Sequence, residues 1–422
     1  MDKPNILFII CHDLGQHLGC YGHAIDTPNI NRLAAEGVRF TDYFCAAPQC
    51  SPSRASIMTG QYPHTNGVMG LLGKGWQLPD DAETLPKSLA AAGYETHLFG
   101  FQHEHPDSRA MGYQVTYDEF DRNHPPTFGA GRVAARLCQF LRNGCGKPFF
   151  ASAGVFEPHI PYLKGPSWPE ELRRIEPFPY LPDHPALRQD IAELQKSILE
   201  LDRHVGTILD TLDETGLAEN TLVIFTTDHG VDFPRAKCSL YDPGLKTALL
   251  MRWKGVLHEG RTVSELLSNI DLMPTVLDLI GCPVPDGVQG ISFSGLLTGG
   301  EYQPRDCVFA EHTWHDGYDP MRCLRTHRYK FIKNFDPQPK NINPGSYWKT
   351  CAGADYLRPL FAAAPSPLEL YDLTSDPYEQ HNLYGKYGYK DIGETLEQKL
   401  LAWMAETDDP LLRGPVVRGG KP

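Results

Sequence analysis

The sequence predicts an α/β protein, with a large, mostly parallel sheet flanked by helices and a smaller C-terminal α+β domain. Three observations carry this reading. Apolar runs of five to seven residues alternate with longer helical patterns through the first three quarters of the chain, as strands buried on both faces do. Each run ends in polar residues, which marks a strand end. After about Glu311 the texture changes to a hairpin pattern and a Pro-, Gly- and Asn-rich stretch.

Asn5-Ile-Leu-Phe-Ile-Ile-Cys11 is the first strand, and Pro28 to Glu36 reads as a short helix. Phe149 to Phe156 and Thr221-Leu-Val-Ile-Phe-Thr-Thr227 are further strands. Between them, Leu187 to Leu212 carries apolar residues at Ile191, Leu194, Ile198, Leu201, Val205, Ile208 and Leu212, the period of a long amphipathic helix. In the last quarter, Arg322–Arg325 and Tyr329–Lys333 predict a hairpin around Thr326-His-Arg328. The Pro-, Gly- and Asn-rich stretch runs from Asp336 to Ser346, Leu368–Leu373 supplies another strand, and Ile392 to Met404 a closing helix. The expected division is a larger domain over 1–315 and a smaller one over 316–422. Ligands of open α/β sheets collect at the carboxyl ends of strands, so Cys11-His12-Asp13 and Asp228-His229 are expected to face one crevice.

The 422 residues are ample for a well-buried core and exclude a small disulfide-stapled scaffold. With 39 Lys+Arg against 52 Asp+Glu the net charge is −13, which argues against a nucleic-acid binder, and 41% hydrophobic residues argue against disorder. Eleven cysteines, an odd number, suit the thiols of a reduced compartment. The N-terminus lacks the pattern of a secretory leader, so a cytoplasmic location is expected, or a periplasmic or secreted one if a leader was removed. No run approaches the roughly 18 to 20 apolar residues that span a bilayer, and no membrane partner is expected.

The segment with most chemical content is Cys50-Ser-Pro-Ser-Arg54, followed by Ala-Ser-Ile-Met-Thr59-Gly60. Ser51 is expected as a helix N-cap, with Pro52 at the first helical position and Arg54 in the first turn. Cys50 then sits at a helix N-terminus, where free N–H groups favour an anion.

Cys-x-Pro-Ser-Arg with Thr-Gly at this offset resembles the signature of type I, formylglycine-dependent sulfatases of the alkaline-phosphatase-like superfamily. Gly60-Gln-Tyr-Pro-His64-Thr-Asn-Gly67, Pro4-Asn-Ile-Leu, Asp13-Leu-Gly15, Gly19-Cys-Tyr-Gly22, Asp26-Thr-Pro-Asn29 and Thr227-Asp-His-Gly230 occur in the same order as in that family. Lys237–Gly244, Pro320-Met-Arg322 and Glu406–Pro410 look most like its N-sulfoglucosamine sulfohydrolase (heparan sulfamidase) branch. The resemblance implies a mixed, mostly parallel sheet with a C-terminal domain built on an antiparallel sheet. The implied activity is hydrolysis of a sulfate ester or sulfamate on a glycosaminoglycan-type sugar.

Carried over position by position, the resemblance implies a divalent metal held by His12, Asp13, Asp228, His229 and the modified Cys50. Calcium is the expected ion, with manganese or zinc as alternatives. His12 stands where the family has Asp, and calcium prefers oxygen ligands while imidazole suits softer metals; His12 therefore either stands back from the ion or shifts the preference. Cys50, oxidised to formylglycine by a maturation enzyme, is implied as the nucleophile: its hydrate has one hydroxyl to attack sulfur and a second to expel sulfate. Asp228 is implied to accept the nucleophile's proton and Arg54 to orient the diol. His103 in Gly100-Phe-Gln-His103 is implied to deprotonate the second hydroxyl, His159 to protonate the leaving group, and Lys237 to contact sulfate. Phe101 stands where the family has a lysine. His64, His105, His312 and His315, and by fold analogy Trp314, Tyr318 and Arg322, are further candidates for lining a sugar pocket. Two alternatives remain open: a phosphonate monoester or phosphodiester hydrolase of the same superfamily, and a catalytically silent sugar-binding relative.

Overall fold

The computed structural model describes residues 3–117, 129–165, 169–337, 339 and 345–417. The strands in chain order are β1 (Asn5–Cys11), β2 (Val38–Phe40), β3 (Tyr43–Phe44), β4 (Glu95–Gly100), β5 (Val115–Tyr117), β6 (Phe149–Gly154), β7 (Thr221–Thr227), β8 (Leu249–Arg252), β9 (Arg261–Val263), β10 (Leu267–Ser268), β11 (Val308–Trp314), β12 (Tyr318–Arg325), β13 (Tyr329–Asn334) and β14 (Leu368–Asp372). Eight form the main sheet in the order β5-β4-β6-β1-β7-β8-β2-β9. It is parallel except at β8, which runs antiparallel to both its neighbours. The expected mixed, mostly parallel sheet is present, and so is the smaller antiparallel one, in the order β11-β12-β13-β14.

β1 lies at the centre because both its faces are apolar. Ile6, Phe8 and Ile10 enter the core on one face and Leu7, Ile9 and Cys11 the core on the other. The second face is covered by the helix Ala130–Asn143 and by the long helix Pro185–Glu214, whose buried positions include every apolar residue that its period predicts. The helix α1 (Pro28–Ala35) packs on the same side.

On the first face lies α2 (Cys50–Thr59), in which every residue is buried. Its start differs from expectation. Gln49, not Ser51, is the N-cap, and it makes no side-chain cap bond. The Ser51 hydroxyl instead accepts from the Leu72 N–H at 3.0 Å, so tertiary contact takes over the role of the local cap. The helix ends at Gly60, whose φ of 66° and close approach to Val288 leave no room for a side chain.

The hairpin β12–β13, the strand β14 and the closing helix Lys390–Glu406 all form as the pattern predicts. The small sheet begins with β11, so its first strand comes from the N-terminal side of the expected 315/316 division. One face packs under the closing helix through Leu324, Phe331, Leu370, Leu400 and Trp403. The other face, with Val308, Ala310, Met321, Cys323 and Ile332, packs on Phe44, Cys45, Leu240 and Leu245 of the large domain. Arg322, at 0% exposure, is the hub of a network in the smaller domain that reaches the large one through Glu311. It grips Asp409 through two bonds of 2.5 and 3.0 Å and pairs with Glu311 at 2.9 Å. Glu311 in turn accepts from the His64 backbone N–H at 2.8 Å, just beyond α2.

The connection from β13 to β14 leaves its own sheet and docks on the large domain. Only part of its Asp336–Ser346 stretch is among the described residues. Beyond it, the Tyr347 hydroxyl and the Ala352 and Gly353 N–H groups all donate to Asp190 of the long helix at 2.8 Å.

Removing one partner of a buried ion pair strands the other charge. Arg322→Met is therefore expected to lower the unfolding free energy by about 3 kcal/mol or more. Chemical denaturation measures it, and a loss below about 1 kcal/mol, the range of an exposed ion pair, would show that the network is not a clamp.

Candidate active site

β1 and β7 pair in parallel with Cys11 opposite Thr227, so the two residues after each strand emerge side by side. Asp13 turns there with a φ of 55°, a conformation that Asp tolerates better than most residues. Its N–H donates to Asp228 Oδ1 at 3.0 Å, and the Leu14 N–H donates to the Thr227 hydroxyl at 3.2 Å. Asp228 Oδ1 also accepts from the His229 N–H at 2.9 Å.

α2 points its first turn at this pair of strand ends. Arg54 Nε donates to Asp228 Oδ2 at 2.9 Å and its NH2 group to the Cys11 carbonyl at 3.0 Å. The Ser53 hydroxyl donates to the Asp228 carbonyl at 2.5 Å. One ligand atom from each of His12, Asp13, Cys50, Asp228 and His229 lies within 4.8 Å of the others, and all five residues are buried. His12 Nδ1 is 2.6 Å from Asp13 Oδ1 and 3.3 Å from Asp228 Oδ2. His12 is therefore inside the cluster.

The donor set fits a divalent cation. His229 Nδ1 lies 2.9 Å from the Gly230 carbonyl, which can only accept, so Nδ1 carries the proton. Nε2 then faces Asp13 Oδ1 at 3.1 Å, and among the described residues it is buried without a hydrogen-bond partner. Two such electron-rich atoms repel unless a proton or a metal cation lies between them. A histidine fixed through its other nitrogen is also the usual arrangement of a metal ligand.

The remaining expected residues surround this cluster. Lys237 Nζ donates to Asp13 Oδ2 at 2.6 Å. His159 Nε2 is 3.7 Å from the same oxygen, and its ring lies edge-on to His12 at 4.6 Å. His103 approaches His12 at 6.1 Å between ring centroids, with a buried Nδ1 that has no partner. Phe101 stacks on His12 at 5.6 Å and lies 4.8 Å from the Arg54 guanidinium, so it packs at the position where a lysine would bring charge.

Burial disfavours the charged form of three histidines: it takes His12 down to about 3 and lowers His103 and His159. Burial alone would raise the carboxyls. For Asp13 it is outweighed by Lys237 and the surrounding histidines, and for Asp228 by His12, His229 and Arg54, so both stay below the usual range. Burial pushes the Cys50 thiol up, with Lys237 pulling against it. Unmodified Cys50 is a protonated thiol and a poor nucleophile.

Other expected candidates fall elsewhere. His64 pairs with Glu311 at 2.9 Å, His105 with Asp80 at 2.8 Å, and His312 Nδ1 faces the Asp319 carbonyl. Arg322 is saturated inside the interdomain network, so it does not line a sugar pocket. Trp314 and Tyr318 hold the C-terminal segment at Val416. His315 is buried within reach of Lys237 and Asp232. Sequence reasoning missed Asp232, which is 0% exposed and 3.3 Å from Lys237 Nζ. The available signal was an acid between two apolar residues, Val231 and Phe233, four positions after Asp228.

A sulfatase family model matches residues 4–282, and a model for the C-terminal part of N-sulphoglucosamine sulphohydrolase matches 233–341. An ulvan-active sulfatase of Formosa agariphila is 30% identical, covering 97% of this chain and 82% of the relative. Human N-sulphoglucosamine sulphohydrolase is 28% identical, covering 97% and 92%. Among solved structures, one in complex with its substrate D-glucosamine-2-N,6-O-disulfate shares the fold, with a TM-score of 0.77 and 20% identity over 98% of this chain and 99% of that one. The phosphonate monoester hydrolase of Agrobacterium radiobacter shares it at a TM-score of 0.72 and 22% identity, over 96% of each chain.

If His12 ligates, His12→Ala is expected to weaken Mn2+ binding by about tenfold or more and Ca2+ binding less. Calorimetric titration with each ion reads this. Unchanged Mn2+ affinity would remove His12 from the ligand set.

Proposed function

The chain belongs to the sulfatase family, and we propose that it hydrolyses a sulfate ester or sulfamate on a glycosaminoglycan-type mono- or oligosaccharide. The observation that carries this reading is the convergence of five ligand groups on the buried first turn of α2, with Arg54 and Lys237 beside them. The sugar class is supported by the similarity to an ulvan-active sulfatase and to N-sulphoglucosamine sulphohydrolase along nearly the whole chain.

A divalent cation would be held by His12, Asp13, Asp228, His229 and the modified Cys50, and would supply Lewis-acid stabilisation of the sulfuryl oxygens. The carboxylates suit the expected calcium, and the two imidazoles suit manganese or zinc at least as well. With His12 inside the cluster, we favour manganese or zinc.

The roles of the chain's own residues follow from their positions. Cys50, as a hydrated aldehyde, offers one hydroxyl to form the bond to sulfur and a second to release sulfate and restore the aldehyde. Asp228 Oδ2 accepts the attacking hydroxyl's proton, and Arg54, bonded to that oxygen, keeps the carboxylate oriented. The His159 Nδ1–H is directed at the Ile160 carbonyl, so the ring gives a proton from Nε2 to the departing oxygen or nitrogen only in its doubly protonated form, with Asp13 Oδ2 3.7 Å from that nitrogen. His103, whose Nδ1 has no protein partner, takes the proton of the second hydroxyl. Lys237 and Arg54 collect the charge that builds on the sulfuryl oxygens.

A second reading, hydrolysis of a phosphonate monoester or phosphodiester, is favoured by one observation: Phe101 and His12 together replace a lysine and an aspartate, which leaves a less charged pocket. Sulfate release from sulfated glucosamine is expected to exceed turnover of a phosphonate monoester by at least about tenfold in kcat/KM. Turnover of the phosphonate alone would replace the first reading by the second.

Peptide mass spectrometry of protein co-expressed with a formylglycine-generating enzyme is expected to find an aldehyde at Cys50. Cys50→Ala and Asp228→Asn are expected to lower kcat by at least about a thousandfold with the protein still folded. Activity within about tenfold of wild type in either variant would take that residue out of its role.

A further inference from the structure

Asp232 is a buried carboxylate in the centre to which neither the family resemblance nor the reaction scheme assigns a task. It lies five residues before Lys237, on a loop that turns through left-handed backbone at Arg235 (φ 65°) and Cys238 (φ 60°). Those turns fold the loop back, so that the Lys237 N–H bonds to the Val231 carbonyl at 3.1 Å and Lys237 points inward beneath Asp232. Lys237 Nζ then lies between two carboxylates, 2.6 Å from Asp13 Oδ2 and 3.3 Å from Asp232 Oδ2. Asp232 Oδ2 also accepts from the Ser346 hydroxyl at 2.7 Å, and its backbone carbonyl accepts from the Tyr162 hydroxyl at 3.2 Å. Among the described residues Asp232 Oδ1 is buried without a partner. A ligand atom from each of Asp232, Asp13 and His159 lies within 4.8 Å of the others.

We propose that Asp232 is a positioning residue: it holds the Lys237 ammonium between itself and the cation-binding Asp13, and Ser346 of the β13–β14 connection sets its orientation. A lysine with one carboxylate partner follows that partner. A second carboxylate limits that movement, and Asp13 Oδ2 is shared with the ammonium without being captured by it. With Phe101 in place of a lysine, Arg54 and Lys237 carry the positive charge at the cluster, so the placement of Lys237 bears directly on both cation and sulfuryl binding. The link through Ser346 brings a segment from the smaller domain's connection to within one hydrogen bond of this charge relay.

This inference rests on the sulfatase reading for its catalytic meaning, and its test has a readout that does not. Wild type, Asp232→Asn, Lys237→Ala and the double variant are compared by titration with Mn2+ alone and by kcat/KM for sulfate release from sulfated glucosamine. Asp232→Asn keeps the shape and the Ser346 bond but removes the charge. In the wild-type background it is expected to weaken Mn2+ binding and lower kcat/KM, each by about tenfold. In the Lys237→Ala background it is expected to cost less than about threefold or to restore function, because Lys237→Ala leaves Asp232 as an uncompensated buried charge. Losses of similar size in both backgrounds, or none in the wild type, would overturn the proposal. If Asp232→Asn does not fold, Ser346→Ala carries the same cycle with an expected loss of about threefold. Absence of sulfate release from the wild type would count against the substrate reading, and the Mn2+ titration would still decide Asp232.

Discussion

Three carboxylates, Asp13, Asp228 and Asp232, are held at 0% exposure around one point, and the rest of the centre is arranged against their mutual repulsion. Two such charges about 5 Å apart repel by about 3 kcal/mol at the effective dielectric of a protein interior, with desolvation in addition. Lys237 answers Asp13 and Asp232, and Arg54 answers Asp228. His229 Nε2, 3.1 Å from Asp13 Oδ1, marks the place where a cation would fit among them. The β1–β7 register underlies this arrangement, because with Cys11 opposite Thr227 it brings His12-Asp13 out beside Asp228-His229.

The same economy governs the junction with the smaller sheet. Arg322 is locked to Asp409 and Glu311, and Glu311 to His64 beyond the end of α2, so the helix that carries Cys50 is braced from the far side by a second set of buried charges. Alternate residues of β12 serve opposite faces: Cys323 meets the loops beside Cys45 and Leu240, while Leu324 meets the closing helix. Docking of the smaller sheet and positioning of the helix that carries Cys50 are one packing problem.

The sequence made the main strands, the long helix and the hairpin legible because each is written in local periodicity, and the strand ends at Asp13 and Asp228 follow from them. The residues His12, His103, His159 and Lys237 were reached through motif order, which carries information that spacing alone does not. Two kinds of feature escaped. Ser51 has the chemistry of a cap, but a bond from Leu72, distant in sequence, claims its hydroxyl. Arg322 has the chemistry of an anion reader, but Asp409 and Glu311 arrive from other elements and saturate it. Asp232 was invisible for a related reason: its meaning depends on two residues adopting left-handed backbone, which neither Arg235 nor Cys238 advertises.

The complete burial of α2 also orders events in time. Cys50 is 3% exposed, on a helix with no residue at the surface, beneath a loop that bonds to Ser51 and beside strand ends that bond to Arg54. An enzyme that binds a peptide around Cys50 needs several extended residues on each side, and the folded chain offers none of them. The oxidation proposed for this cysteine would therefore belong to the life of the chain before α2 docks. A copy that folded first would be closed to that modification until it unfolded again, so under the proposed function the share of competent molecules would be set by a race between a modifying enzyme and the collapse of the core.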